Sequence, residues 1–284
     1  RPRQKGEAAV RVAYQGEPGA NSEEAVFRVF GEGAEPVPCR DLIQTFETAV
    51  SGRAERAVVP VENSQAGSIN ETYDLLLRHD LVIVGEYDLR VRFNLLALPG
   101  QPLASIRRAY SHPQALAQCD AFLRHHGIEP VAYGDTAGSA RMLAEQRLEG
   151  AAAIAPPRAA KIYHLAVLAE GIETNPNNYT RFLVLDRAPA PRTERSKTSI
   201  VFVVDNRPGT LYQALGALAT RGINLAKIES RPGRQRPWEY VFYADVDGHA
   251  DDDAMRAALD DLRRHTSMLR VLGSYPKAEP PAVR

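Results

Sequence analysis

The order of hydrophobic and polar positions divides the chain into short apolar runs separated by amphipathic stretches. Residues 10–14 form an apolar run that predicts a strand, and after a Gly/Pro loop the stretch from Ser22 predicts a helix. Residues 57–61 form a second run, closed by the polar triplet Glu62-Asn63-Ser64, and nothing is assigned between it and the first helix. Residues 70–78 predict a helix with Tyr73, Leu76 and Leu77 on one side, and 81–98 suits strands that continue or cross over. The alternation then repeats: strand 106–110, helix 113–127 opened by Pro113 and closed by Gly127, strand 129–133, helix 135–146, strand 151–155. A last strand, 181–186, returns to the first set. Alternation of this kind predicts mainly parallel α/β sheets, and two sets in tandem predict two lobes around a cleft.

The pattern changes after residue 187. Residues 188–197 are rich in proline and charge, have no apolar periodicity, and read as a linker. Beyond them come strand 199–204, a helix from Pro208 carrying Leu211, Leu215 and Leu218 and closed by Gly222, strands 223–230 and 238–246, helix 251–265 and strand 268–272. The order βαββαβ is that of a ferredoxin-like unit.

Composition narrows the class. Lys plus Arg and Asp plus Glu both number 35, so no basic excess points to nucleic acid or an anionic membrane. No apolar run is long enough to span a bilayer. Two cysteines, Cys39 and Cys119, make no disulfide framework, and the expected location is cytoplasmic. Seven scattered histidines show no metal-ligand spacing, so no metal site is expected. The opening Arg1-Pro2-Arg3, without Met, reads as a trimmed start, and residues 1–9 as a disordered basic lead.

Three loops collect polar groups where α/β sheets place ligands, just after strands. Gly16 to Ser22 leads into a helix whose first N–H groups, with Ser22, suit a carboxylate, although a plain capped turn has the same composition. Glu62-Asn63-Ser64 sets an acid, an amide and a hydroxyl together, or caps its own turn. Ser111-His112-Pro113-Gln114 opens a helix. With Asp135-Thr136-Ala137 and Asn178-Tyr179-Thr180-Arg181-Phe182, these loops resemble the motif set of the prephenate dehydratase family. Pro208-Gly209-Thr210-Leu211 and Glu229-Ser230-Arg231-Pro232 resemble the phenylalanine-binding ACT domain attached to such enzymes. Two departures stand out: Asp135 where the family usually has Ser, and Thr210 where it often has Ala. The first, with Tyr14-Gln15-Gly16 and Pro18-Gly19-Ala20, resembles the plant-type branch that contains arogenate dehydratases.

The resemblance implies a catalytic domain over 10–187 with two lobes like those of periplasmic binding proteins (10–88 with 171–187, and 89–170), the linker 188–197, and an ACT domain over 198–275. It implies conversion of prephenate to phenylpyruvate, water and carbon dioxide, without a cofactor and under allosteric control by phenylalanine. The alternatives are an arogenate dehydratase and a non-enzymatic amino-acid sensor. Thr180, Arg181 and Glu62 are the implied catalytic residues: Thr180 for the leaving hydroxyl, Arg181 for a substrate carboxylate, Glu62 as a proton source. Asn63, Ser64, Ser22, Ser111, Gln114, Thr136 and Phe182 are the implied substrate-binding residues. Asn206, Gly209, Thr210, Leu211, Glu229, Ser230 and Arg231 are the implied effector site, in a homodimer or homotetramer paired through ACT domains.

Overall fold

Strand β1 (Arg11–Gln15) shows why the first sheet is internal: Val12, Ala13 and Tyr14 are all fully buried, so both faces of the strand are covered. The structure is a computed structural model and describes residues 9–233 and 240–279. The basic lead, apart from Ala9, and the start of the strand read from Trp238 therefore lie outside the described residues. In chain order there follow α1 (Asn21–Phe30), β2 (Glu35–Cys39), α2 (Leu42–Val50), β3 (Arg56–Asn63), β4 (Gly67–Ser68), α3 (Asn70–Arg78) and β5 (Val82–Arg90). The second group is β6 (Asn94–Ala97), β7 (Arg108–Ser111), α4 (Pro113–Gln118), α5 (Asp120–His126), β8 (Glu129–Ala132), α6 (Thr136–Gln146), β9 (Ala151–Ala155), α7 (Pro157–Ile162) and β10 (Ala166–Ala169). Strand β11 (Tyr179–Asp186) rejoins the first sheet, whose order is β2-β1-β3-β11-β5 with β4 on β3. The second sheet runs β10-β6-β9-β7-β8.

The pattern left β2 and α2 unassigned. β2 contains Pro36 and Pro38, and it lies at the sheet edge, where missing N–H groups are tolerated. The helix expected over 113–127 is two helices. Cys119, at φ −106° and ψ 11°, leaves helical geometry between α4 and α5. The sheets are also less uniformly parallel than expected: β6 is antiparallel to both β9 and β10. The chain crosses between lobes twice, at 91–93 and 171–178. The crossings are tied by Val91 N–H to the Asn178 carbonyl (2.8 Å), Ile172 N–H to the Phe93 carbonyl (2.9 Å) and Phe93 N–H to Glu173 Oε2 (3.0 Å).

By its contacts the described chain forms two units: residues 9–79 with 87–183, and residues 80–86 with 184–279. The second contains β12 (Ser196–Val203), α8 (Thr210–Ala219), β13 (Leu225–Pro232), β14 (Tyr240–Asp247), α9 (Asp253–Arg264) and β15 (Met268–Pro276), with sheet order β13-β14-β12-β15. Ile200, Phe202, Ala214, Leu218, Val246, Met255 and Leu262 make its core, beneath the two helices. β12 starts at Ser196, inside the segment read as linker, because Ser196 and Lys197 are buried and paired. Helix α8 starts at Thr210 rather than Pro208, since Gly209 sits in the left-handed region at φ 86° and cannot join it. On the face of β12 away from the core, residues 80–86 close over β15: a Cβ added at Gly273 would collide with the Ile83 carbonyl oxygen. There the Lys197 ammonium meets the Glu86 carboxylate at 2.6 and 2.7 Å, with side chains only 6% and 2% exposed.

Candidate active site

Because side chains on a strand alternate between faces, Thr180 and Phe182 of β11 point one way and Arg181 the other. Thr180 and Phe182 line a cavity of about 240 Å³ within the first unit. Asn21, Ser22, Pro60, Asn63 and Ile69 line it from one lobe, Val91 and Phe93 from the crossing, and His112, Gln114, Ala115, Gln118, Asp135 and Thr136 from the other lobe. Arg181 faces Glu62 (3.7 Å) and Asp88 (3.5 Å) instead, and neither it nor Glu62 is on the wall.

The Asn63 side chain organises one end of the cavity. Its Oδ1 accepts the N–H groups of Gln65 and Ala66, both at 3.0 Å, which fixes the amide orientation. Its Nδ2 then donates to Thr180 Oγ1 (2.9 Å), Asn178 Oδ1 (2.9 Å) and the Tyr179 carbonyl (3.1 Å). Asn178, 1% exposed, donates on to Gln118 Oε1 across the cleft at 3.0 Å. The Thr180 oxygen accepts, so its proton is left free to donate into the cavity. Ser64 locks the two loops from behind: its N–H donates to the Tyr179 carbonyl, while its hydroxyl accepts the Tyr179 N–H and donates to the Asn177 carbonyl.

A second set of contacts holds the lobes across the other end of the cleft. Arg158 pairs with Glu23 at 2.9 Å and stacks on Phe27, while Arg141 pairs with Glu17 at 3.0 Å. Glu23 also accepts the Gly19 N–H (2.8 Å), and Tyr163 donates to the Pro18 carbonyl (2.7 Å). Burial, with Glu17 nearby, pushes the Tyr163 phenol up to about 12. Burial and the adjacent Glu23 raise the Tyr14 phenol as well, so both stay protonated donors.

The wall carries little charge. Among the described residues no Lys or Arg lines it, and Asp135 is the only carboxylate. Helix α1 begins there without a side-chain cap, which leaves its first N–H groups open to an anion. Helix α6 is closed by Asp135, whose Oδ1 accepts the Gly138 N–H at 2.6 Å. No group of His, Cys, Asp or Glu among the described residues has the arrangement of a metal site.

A family model described as prephenate dehydratase matches residues 12–190, and one for the ACT domain matches 198–264. The chain belongs to the prephenate dehydratase family. It is 47% identical to arogenate dehydratase/prephenate dehydratase 2, chloroplastic, of Arabidopsis thaliana, over 94% of this chain and 73% of that one. A prephenate dehydratase from Arthrobacter aurescens, solved with L-Phe, is 36% identical at a TM-score of 0.87, covering 97% of this chain and 93% of its own. GqqA, described as a novel type of quorum-quenching acylase, is 37% identical with the same TM-score over 94% and 98% of the two chains. The expected class, two periplasmic-binding-protein-like lobes and a ferredoxin-like ACT domain, is the observed one.

In this prephenate dehydratase-family site the structure brings Thr180, Asn63, Ser22, Gln114, Thr136 and Phe182 together on one cavity. It does not bring Arg181, Glu62, Ser64 or Ser111 there. Ser111 is fully buried and donates to the Ile154 carbonyl at 2.6 Å. His112, Gln118, Asn178 and Asp135 enter the site although none was singled out for a role. Gln118 had a signal, since it lies four residues beyond Gln114 on the same helix face. In the ACT domain, Asn206, Gly209, Thr210 and Leu211 gather at the start of α8, where the Thr210 hydroxyl contacts the Asp205 (2.7 Å) and Arg207 (2.9 Å) carbonyls. Ser230 pairs with Phe242 and shares its core-facing side of the sheet; Glu229 and Arg231 pair with Tyr243 and Val241 and take the opposite side. Within one chain the implied effector residues Glu229, Ser230 and Arg231 therefore lie on both faces of β13.

Proposed function

We propose that the chain is a decarboxylating dehydratase that acts on prephenate or its aminated counterpart arogenate within residues 10–187, and that the ACT domain over 198–275 binds phenylalanine as effector. The observation that carries this reading is the Asn63 amide on the Thr180 hydroxyl oxygen, at the wall of a cavity between lobes, in a chain of this family. The ring carboxylate leaves as carbon dioxide and its bonding pair enters the ring. The carbon–oxygen bond to the ring hydroxyl breaks, that oxygen takes a proton and departs as water, and the ring becomes aromatic. No electrons leave the substrate, so the reaction needs no cofactor.

Thr180 donates to the departing hydroxyl, with its own oxygen held by Asn63. Ser22, Gln114 and Thr136 orient the carboxylates, and Phe182 packs against the ring. Arg181 and Glu62 act as positioning residues from the far side of β11. An acyl-transfer reading is less well supported: a donor on the Thr180 oxygen withdraws electron density from it, whereas an attacking hydroxyl needs a base. For the effector, split faces within one chain favour a site completed by a second copy, and β13, an edge strand with Ile228 41% exposed, offers the seam of a homodimer or homotetramer.

The test is turnover of purified prephenate and arogenate, each with and without phenylalanine, by the wild type and by Thr180→Ala. We expect turnover that falls on adding phenylalanine, and a loss of roughly 10²–10⁴ in kcat for the variant. Wild-type turnover by Thr180→Ala removes the assigned role. Indifference of activity and Tm to saturating phenylalanine removes the effector site.

A further inference from the structure

Both candidate substrates carry two carboxylates, yet the cavity wall offers them neutral donors and one acid. Cations close to its walls are engaged elsewhere: Arg181 with Glu62 and Asp88, Arg141 with Glu17, and Arg158 with Glu23. Arg90, Arg92 and Lys161 line a separate groove that shares only Asn21 with the cavity. A site with this balance is poorly matched to a dianion. It suits a ligand that brings a positive charge of its own and has somewhere to place it.

Asp135 is that place. Capping α6 occupies its Oδ1, and Oδ2 lies beside Gly138, where an added Cβ would collide with it. The residue therefore closes the helix and is also the one carboxylate that lines the wall of the site among the described residues. We infer that Asp135 sets substrate specificity by pairing with the α-ammonium group of the substrate's side chain, so that the enzyme prefers arogenate to prephenate. The two differ at that one position, an ammonium in one and a ketone in the other. An ammonium donates to a carboxylate with charge assistance. A ketone offers only acceptor lone pairs, which a carboxylate repels, and leaves the acid unpaired in a partly desolvated site. Discrimination that relies on a paired polar group exceeds what an apolar pocket achieves, because the wrong substrate leaves a buried polar atom without a partner.

This inference rests on the dehydratase reading above and specifies its substrate. The experiment is to measure kcat/KM of the full chain for both compounds in the wild type, Asp135→Asn, Asp135→Ser and Asp135→Glu. Asn and Ser both cap helices well, so α6 keeps its first turn while the charge is removed; Glu keeps the charge. We expect the wild type to favour arogenate, and the two neutral variants to shift the arogenate-to-prephenate ratio toward prephenate by about tenfold or more, as for one lost charge-assisted hydrogen bond. Asp135→Glu retains the preference. A purely structural role for Asp135 lowers both activities in parallel; that result, or a wild type that prefers prephenate, overturns the inference and leaves the dehydratase reading standing. If the wild type turns over neither compound, both fall.

Discussion

At Asn63 the amide nitrogen holds Thr180 while the oxygen holds the backbone of its own loop. The two ends can be separated by Asn63→Asp, which keeps an oxygen for the Gln65 and Ala66 N–H groups but replaces the donor by an acceptor. The Thr180 proton then turns toward the new carboxylate and away from the substrate. We expect an unchanged fold by circular dichroism, and a fall in kcat approaching that of Thr180→Ala; normal kcat would show that Asn63 does not set the direction of the hydroxyl. Much at this scale was legible. Asn63, Gln114, Thr136 and Thr180 are polar groups at strand ends or helix starts, where α/β sheets place ligands and where turns and helices are also capped. What the sequence left open was the side of the strand. Thr180 and Arg181 are neighbours in the chain and face opposite ways, and only the register of β11 between β3 and β5 says which enters the cavity. Ser111 was misplaced for a similar reason: a serine at a strand end serves a ligand or a neighbouring carbonyl equally well, and here it serves Ile154.

Between elements, one close backbone approach across the cleft is made by a residue without a side chain. Gly19 has φ 90°, and a Cβ there would lie 2.9 Å from Ala159 Cα on α7. Gly31, at φ 79°, has open space where a Cβ would go. Gly31→Ala therefore incurs backbone strain alone, on the order of 1 kcal/mol. Gly19→Ala incurs that strain and also wedges the lobes apart near the Arg158–Glu23 pair. Thermal unfolding and turnover of the two variants separate the effects: a larger Tm loss together with impaired catalysis is expected only at Gly19. Equal behaviour would mean that the Gly19–Ala159 contact does not set lobe closure. The Gly16-to-Ser22 motif was visible in the sequence as a turn; its partner α7 was not, since 157–162 is short and carries little periodicity. Helix α2 was legible but passed over: Asp41 caps Gln44 at 2.8 Å, and Leu42, Phe46 and Ala49 follow at helical spacing.

On the scale of the whole chain, the buried Lys197–Glu86 pair joins residues far apart in sequence but inside one unit. Removing one partner leaves the other charge buried, a loss of about 3–5 kcal/mol. Lys197→Met should lower the Tm markedly, and adding Glu86→Gln should recover much of it, because the amide still accepts the Ala278 N–H that Glu86 now takes at 3.0 Å. If the double variant is no more stable than the single one, the charge left behind is not the cause. Nothing in the hydrophobic pattern marked residues 80–86 as anything but part of the first lobe, and the matched families follow one another along the chain at 12–190 and 198–264. The second unit is built from two separate stretches of sequence, 80–86 and 184–279. An ACT module excised at the apparent linker would leave behind the segment that seals its sheet over Gly273, and would carry Lys197 away from its counter-ion. Transplanting this domain onto another protein therefore means moving two separate stretches of sequence, so recombination at a single crossover point would not pass it on whole.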